Sequence, residues 1–141
     1  MACPYFLPTE RCAAELWPHA ARLPLGASWR GRCTAPGGEG AATEQELKEG
    51  CNMGYARCGR LPQEREADAV RFGLAGEQNG RVRVRYVFEI AHRPGESGVL
   101  EFDRATGQWL ARAADERLQR MAECFLQAKT ERRAAAGAQQ S

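Results

Sequence analysis

Six cysteines are the residues of this chain best suited to chemistry, and they are widely dispersed. Their positions are Cys3, Cys12, Cys33, Cys51, Cys58 and Cys124. Paired zinc knuckles, the compact bacterial ferredoxin run and the thioredoxin dithiol all need cysteines separated by roughly two to four residues, so none of these motifs is present. Single cysteines that meet only in the folded chain remain compatible with a [4Fe–4S] cluster held by four thiolates.

The clearest local indication of secondary structure near the cysteines lies within residues 33–58. Thr43, followed three residues later by Glu46, is a capping-box pattern that predicts the start of a helix. If that helix continued unbroken, Cys51 and Cys58 would share one face, about 10 Å apart along its axis. That separation is too long for a disulfide and awkward for one zinc ion, whereas a larger iron–sulfur cluster bridges it with less distortion.

The sequence therefore predicts a [4Fe–4S] cluster bound by four cysteines, with a fifth in reserve. The four predicted ligands are Cys3, Cys33, Cys51 and Cys58, and the reserve is Cys12. Cys3 is followed by Pro4, as is the last cysteine of the bacterial ferredoxin motif, which favours Cys3 as a ligand.

Four residues close in sequence to these cysteines are predicted to surround the cluster. They are Tyr5, Phe6, Tyr55 and Arg57. The aromatic rings would shield the cluster from solvent, and the guanidinium group would offset its negative charge. Each of them also has an ordinary interpretation, as a core aromatic residue or as a solvated arginine on a loop.

Two other interpretations of the cysteines stay open. Zinc would suit the same thiolates, with His19 joining Cys12 as a pair of ligands. Alternatively the thiols hold no metal, because cysteine often serves as a small buried hydrophobic residue. Cys124 lies far from the others at the edge of an apolar helical stripe, and it is predicted to be a boundary residue.

Composition argues against several classes of protein. The net charge is only +2, which gives no electrostatic indication of binding to nucleic acid. No apolar run approaches the roughly 20 residues that a membrane helix needs. The N-terminus lacks the charged and apolar regions of a secretory signal. We therefore expect a cytoplasmic protein without a membrane span, whose thiols are kept reduced.

The chain is predicted to form a single α+β domain over residues 1–141. Residues 1–62 are expected to be a loop-rich, cysteine-bearing half with one helix, because prolines interrupt it repeatedly. A further short helix is allowed at residues 9–17. Residues 68–133 should form a three- or four-stranded antiparallel meander packed by a C-terminal helix, and residues 134–141 a frayed tail.

The meander and its covering helix are predicted from their periodicity. Val82 and Val84 alternate with charged residues on one strand, and Leu100 projects inward from the next. The last helix is predicted to begin at an Asp115 cap and to end near Arg133. Turns are predicted at residues 76–80, 93–98 and 106–107.

Four arginines are predicted to project from the solvent side of the meander. They are Arg71, Arg81, Arg83 and Arg85. Glu101 and Asp103 on the next strand reach the same face, where they can pair with arginines across the strands. This face is interpreted as a charged, solvated surface, with a docked protein partner as the functional alternative. Nucleic acid is not expected there.

No catalytic constellation is recognisable, so the sequence does not predict a stand-alone enzyme. His19 and His92 have no nucleophile nearby, and residues 37–40 lack the context of a phosphate-binding loop. The leading hypothesis is a small cytoplasmic iron–sulfur protein that transfers electrons or is an accessory subunit stapled by its cluster. One alternative is a zinc-stapled interaction module that contacts a protein or a nucleic acid through the arginine face, and the other is a metal-free accessory protein. We expect a protein partner.

Overall fold

The computed structural model describes residues 1–12, 22–36, 39–47, 51–53, 60–62, 64–65 and 67–140. Within these ranges the chain forms a three-stranded and a four-stranded antiparallel sheet, a short helix and a long C-terminal helix. The predicted α+β class is therefore confirmed.

The four-stranded sheet is the meander expected from the sequence. Its strands are β4 (Ala69–Gln78), β5 (Arg81–Ile90), β6 (Arg93–Asp103) and β7 (Gln108–Ala111), each paired with the next. Val82, Val84 and Leu100 are buried on one face, as their alternation predicts. They pack there against Ala122 and Phe125 of the C-terminal helix.

Two tight turns connect the first three strands of the meander. Asn79 and Gly80 have φ angles of 54° and 77°, and Ala91 and His92 have 51° and 62°. Two successive positive φ angles match the right-handed twist of antiparallel strands. The turn predicted at residues 93–98 was wrong, because β6 already begins at Arg93.

Pro94 explains that error. Proline usually marks a turn, but Pro94 lies in a part of β6 that pairs only with β5. On the other side, β7 pairs only with residues 101–103 of β6. A proline in such an edge position removes no hydrogen bond between strands when its backbone nitrogen points away from the neighbouring strand.

The three-stranded sheet was not predicted. It consists of β1 (Phe6–Arg11), β2 (Trp29–Cys33) and β3 (Gly40–Ala41), in that order. β1 occupies the first part of the short helix allowed at residues 9–17, so that helix does not form there. Pro8 lies at the register shift between β1 and β2, where regular pairing is interrupted.

The short helix α1 (Glu44–Glu46) begins with the predicted capping box. The Thr43 backbone N–H donates to Glu46 Oε1 at 3.0 Å, and the Glu46 backbone N–H donates to Thr43 Oγ1 at 3.2 Å. Asn52 and Met53 then form a turn. Cys58 lies outside the described residues, so the predicted common helical face of Cys51 and Cys58 stays a prediction.

The long helix α2 (Glu116–Gln140) covers the inner face of the meander. Asp115 caps it by accepting a hydrogen bond from the Arg117 backbone N–H at 2.9 Å, as predicted. The helix continues past Arg133, where the sequence predicted its end. No helix in the described part of the chain combines the length and apolarity needed to cross a bilayer.

The two halves of the chain share one core. Cys3 and Cys51 belong to the same buried cluster as Val70 of the meander and Met121 of α2. Cys124 is fully buried in this cluster, so its prediction as a boundary residue was wrong. Burial raises the pKa of the Cys124 thiol to about 12. An inert, neutral thiol follows from that environment.

Candidate cysteine site

Three of the four predicted ligands line one small cavity. Cys3, Cys33 and Cys51 reach it from three separate segments, and each is at least nine-tenths buried. The wall also includes Tyr5, Phe6, Ala35, Ala42, Glu46, Arg60 and Leu61. The cavity volume is about 10 Å³, which is about the room that one water molecule needs.

The N-terminus holds Cys3 between the meander and the Cys51 loop. Ala2 exchanges two backbone hydrogen bonds with Val70 of β4, of 2.7 and 2.8 Å. The Cys3 backbone N–H then donates to the Cys51 carbonyl at 3.1 Å. Cys3 and Cys51 are therefore neighbours through their backbones, although 47 residues separate them in sequence.

Cys33 is placed by the pairing of β1 and β2. It lies opposite Phe6 in that ladder and ends β2. Beyond it, the Thr34 backbone N–H and hydroxyl both donate to the Tyr5 carbonyl, at 2.8 and 2.7 Å. These two bonds hold the chain after Cys33 against the chain after Cys3.

Asn52 fixes the Cys51 loop, and sequence reasoning did not assign it a role. Asn52 is 1% exposed, and its side chain forms hydrogen bonds with backbone groups. Oδ1 accepts from the Trp29 N–H at 3.0 Å, while Nδ2 donates to the carbonyls of Trp29 and Leu47 at 3.0 and 3.1 Å. In the sequence, only the position of Asn52 directly after Cys51 could have pointed to this role.

An ion pair forms part of the cavity wall. Arg60 Nε lies 2.7 Å from Glu46 Oε2, and Arg60 Nη2 donates to the Ala41 carbonyl at 3.2 Å. The hydrogen bond from the Thr43 backbone, supported by Arg60, lowers the pKa of Glu46 below its ordinary value. Glu46 is therefore a carboxylate at neutral pH, neutralised by its arginine partner.

A second cation approaches the site from α2. The Arg117 guanidinium lies 5.2 Å from the centre of the Tyr5 ring and donates to Thr34 Oγ1 at 3.2 Å. Asp115 holds it in place with contacts of 2.7 and 3.0 Å. Sequence reasoning missed Arg117 because it lies on another element, far from the cysteines in sequence.

The other predicted site residues have different outcomes. Cys12 directly follows β1, and its backbone N–H donates to the Ser28 carbonyl. It does not line the cavity. Cys58, Tyr55, Arg57 and His19 lie outside the described residues. Among the residues with described positions, no three His, Cys, Asp or Glu side chains are grouped to hold a single metal ion.

The predicted arginine face lies on the other side of the meander from α2. Arg81, Arg83 and Arg85 are exposed and alternate with the buried Val82 and Val84. Two arginines of the face lie near carboxylates, with Arg71 3.4 Å from Glu89 and Arg81 3.9 Å from Glu101. The sheet therefore separates this face from the core that contains Cys3 and Cys51.

Comparisons with protein-family models, with curated proteins and with solved structures found no match. The chemistry of the site is therefore argued from its residues. Thiolates bind zinc and iron–sulfur clusters, and a buried group of thiolates with arginines nearby suits an anionic metal–thiolate centre.

Proposed function

We propose that this chain is a small cytoplasmic iron–sulfur protein, in which a [4Fe–4S] cluster is bound by Cys3, Cys33, Cys51 and Cys58. The observation that carries this proposal is the shared cavity of Cys3, Cys33 and Cys51, which come from distant parts of the sequence. The cluster transfers electrons or staples the cysteine-bearing half to the rest of the chain.

The size of the cysteine cavity bears on what it can hold. Three cysteines line it, and among the described residues no three His, Cys, Asp or Glu side chains are placed so that they could hold a metal ion. The cavity itself has room for about one water molecule. Insertion of a cluster therefore has to separate the segments that carry Cys3, Cys33 and Cys51.

Zinc is the second candidate, and the small cavity favours it. A zinc ion with four thiolates is compact and structural, and it would make the protein a stapled interaction module.

The arginine face is the proposed surface for a protein partner. Within the described part of the chain, Arg83 and Arg85 have no ion-pair partner, whereas Arg71 and Arg81 lie near carboxylates. An acidic surface on the partner would complement the two unpaired guanidinium groups. Because the sheet separates this face from the cysteine cavity, such docking suits an accessory subunit better than direct electron transfer.

Metal analysis of anaerobically purified and reconstituted protein tests the proposed function. We expect visible absorption, with about four irons and four sulfides per chain. Serine replacement of Cys3, Cys33, Cys51 or Cys58 should each abolish stable cluster binding. The matched controls Cys12→Ser and Cys124→Ala should retain the cluster, because neither thiol lines the cavity.

Two results would overturn the iron–sulfur proposal. Stoichiometric zinc without iron, with loss in the same cysteine variants, would establish the zinc module instead. Absence of both metals after reconstitution would leave a metal-free accessory protein.

A further inference from the structure

Strand β6 has an edge that β7 covers only in part. β7 pairs with residues 101–103, whereas on the other side β5 pairs with β6 from Arg93 to Asp103. Within the described part of the chain, the backbone from Arg93 to Leu100 therefore has a neighbouring strand on one side only. Such an edge can accept a further strand through backbone hydrogen bonds.

A groove of about 810 Å³ lies beside this edge, on the face of the meander that α2 covers. Glu96 of β6 lines this β6 groove together with Tyr86 and Phe88 of β5, and Tyr5 also lines it. The rings of Tyr86 and Phe88 are in edge-to-face contact, with their centres 5.8 Å apart. A concave surface of this size that carries aromatic rings is typical of a binding site.

Gly98 allows the Tyr86 ring to reach across β6. The two residues are paired between β5 and β6. A Cβ on Gly98 would lie 2.5 Å from the Tyr86 hydroxyl oxygen and 2.7 Å from its Cζ, so the end of the ring lies over Gly98. A side chain on a strand paired with β6 opposite Gly98 would therefore pack against this ring.

The uncompensated charge of the β6 groove is negative. Both arginines among its described lining residues, Arg65 and Arg117, lie within 2.7 Å of an aspartate carboxylate. Two glutamates of the same lining, Glu64 and Glu96, have no salt bridge in the described part of the chain. A lysine or arginine of a docked strand would complement these carboxylates.

The sequence of the edge argues against pairing between two copies of this chain. Pro94 offers no N–H, and Arg93 and Glu96 are charged, which are features that keep strand edges from associating with one another. A second copy would bring the same proline and the same charges to the contact. A peptide of different sequence can instead pair beyond Pro94 and supply the charge opposite to that of Glu96.

We propose that the edge of β6 and the β6 groove bind an extended peptide segment of a partner protein. The segment adds a strand beside residues 96–100, places an apolar side chain on the Tyr86 ring and directs a basic side chain to Glu96. This surface lies on the opposite side of the sheet from the arginine face. The inference does not depend on a bound metal, so it and the proposed function can fail separately.

A phage-displayed library of random peptides of about eight residues, an ordinary strand length, is the probe. The library is selected on the immobilised full chain. We expect enriched peptides in which apolar and polar residues alternate and at least one residue is Lys or Arg. An enriched peptide is then synthesised with a fluorescent label, and its dissociation constant is measured by fluorescence anisotropy.

Methylation of the peptide backbone tests for strand pairing. In a β-ladder only alternate N–H groups of a strand point to its neighbour. Two versions of the peptide are therefore made, each N-methylated at one of the two alternating sets of residues. We expect one version to lose binding and the other to retain it. Equal loss or equal retention in the two versions would overturn strand addition.

Two substitutions in the protein test the side-chain contacts. Glu96→Lys should weaken peptide binding by about tenfold through charge reversal. Gly98→Ala should weaken it by a similar factor, because the new Cβ displaces the Tyr86 ring. Glu10→Lys on the exposed end of β1 is the matched charge control and should bind as wild type does. Glu96→Lys changes an exposed edge residue, so the test stands even if Gly98→Ala does not fold.

Other results would overturn the inference. Enrichment of acidic peptides whose binding is lost in Arg85→Glu would place the partner on the arginine face instead. Wild-type peptide affinity in both Glu96→Lys and Gly98→Ala would exclude the β6 groove. A selection that enriches no peptide, or sedimentation showing that the chain pairs with itself through this edge, would exclude a peptide partner there.

Discussion

The two sheets of this protein hold their strands together in different ways. In the meander, the first three strands have about ten residues each, pair along nearly their whole length and are joined by two-residue turns. In the N-terminal sheet, β1 ends at Arg11 and β2 begins at Trp29, so a long connection joins these two short, paired strands. Closing a long connection costs more entropy than closing a hairpin, so the N-terminal sheet needs additional contacts.

Several of those contacts come from single polar side chains. Asn52 ties the Cys51 loop to β2, Thr34 ties the end of β2 to Tyr5, and Arg117 ties both to α2. A bound metal centre would add the free energy of its thiolate bonds to this half of the chain. The comparison teaches that the meander is stable through local pairing, whereas the cysteine half depends on individual side chains.

Asn52→Ala gives the strongest test of this difference. The substitution removes three buried side-chain hydrogen bonds, so we expect the metal-free protein to lose about 4 kcal/mol of unfolding free energy. Denaturant unfolding followed by circular dichroism measures the loss. The control is Asn79→Gly in the exposed β4–β5 turn, which glycine accepts at φ 54° and which should change little. Equal effects of both would remove the distinction between the two halves.

A pair of glycines compares the two sheets directly. A Cβ on Gly31 of β2 would collide with the Leu7 carbonyl and lie within 2.8 Å of Pro8 Cα, whereas one on Gly73 of β4 meets nothing within 4 Å. Gly31→Ala should therefore destabilise the protein by about 3 kcal/mol through overpacking. Gly73→Ala should be neutral or stabilise it by about 0.5 kcal/mol, because alanine restricts the unfolded chain.

Thermal unfolding of these two alanine variants, side by side, gives the comparison. A stable Gly31→Ala protein would mean that β1 and β2 do not approach as closely as the structure shows. Such a result would also weaken the placement of Cys33, since the same ladder ends there.

The β5–β6 turn offers a stabilising change in the meander. Ala91 and His92 have positive φ angles. This conformation is unfavourable for most residues, whereas glycine and asparagine adopt it more easily. The double variant Ala91→Asn, His92→Gly should therefore raise the unfolding free energy by about 1 kcal/mol. Denaturant titration tests it, and unchanged metal content would show that the gain stays local to the meander. A loss of stability would contradict the turn geometry.

The smallest expected effect lies in the surface network around Glu77. Hydrogen bonds from Arg104 and Arg133 lower the pKa of Glu77. Glu77→Gln should cost less than about 1 kcal/mol at pH 7, because these ion pairs are partly solvated. A depressed folded pKa stabilises the protein above the unfolded value, so the difference from wild type should shrink as pH falls below about 4 and disappear once the folded carboxylate is protonated.

The control is Glu96→Gln on the exposed part of β6, which should leave the unfolding free energy at pH 7 unchanged. A Glu77→Gln difference that persisted at low pH would show that the carboxylate charge is not what stabilises the network. Unfolding curves collected across the pH range distinguish the two cases.

The sequence by itself determined the elements whose signals are local. Alternation of apolar residues predicted the strands around Val82 and Leu100, the pair Thr43 and Glu46 predicted a helix start, and Asp115 predicted a cap. These signals are readable because their partners lie within a few residues. The dispersed cysteines likewise indicated a site formed only in the folded chain.

Tertiary structure alone decided which residues surround that site. It placed Cys3, Cys33 and Cys51 around one cavity, left Cys12 outside it and buried Cys124 in the core. It also brought Asn52 to Trp29 and Arg117 to Thr34 across long sequence separations. The free energy of such contacts depends on packing between distant segments, so no local spacing or periodicity in the sequence encodes them.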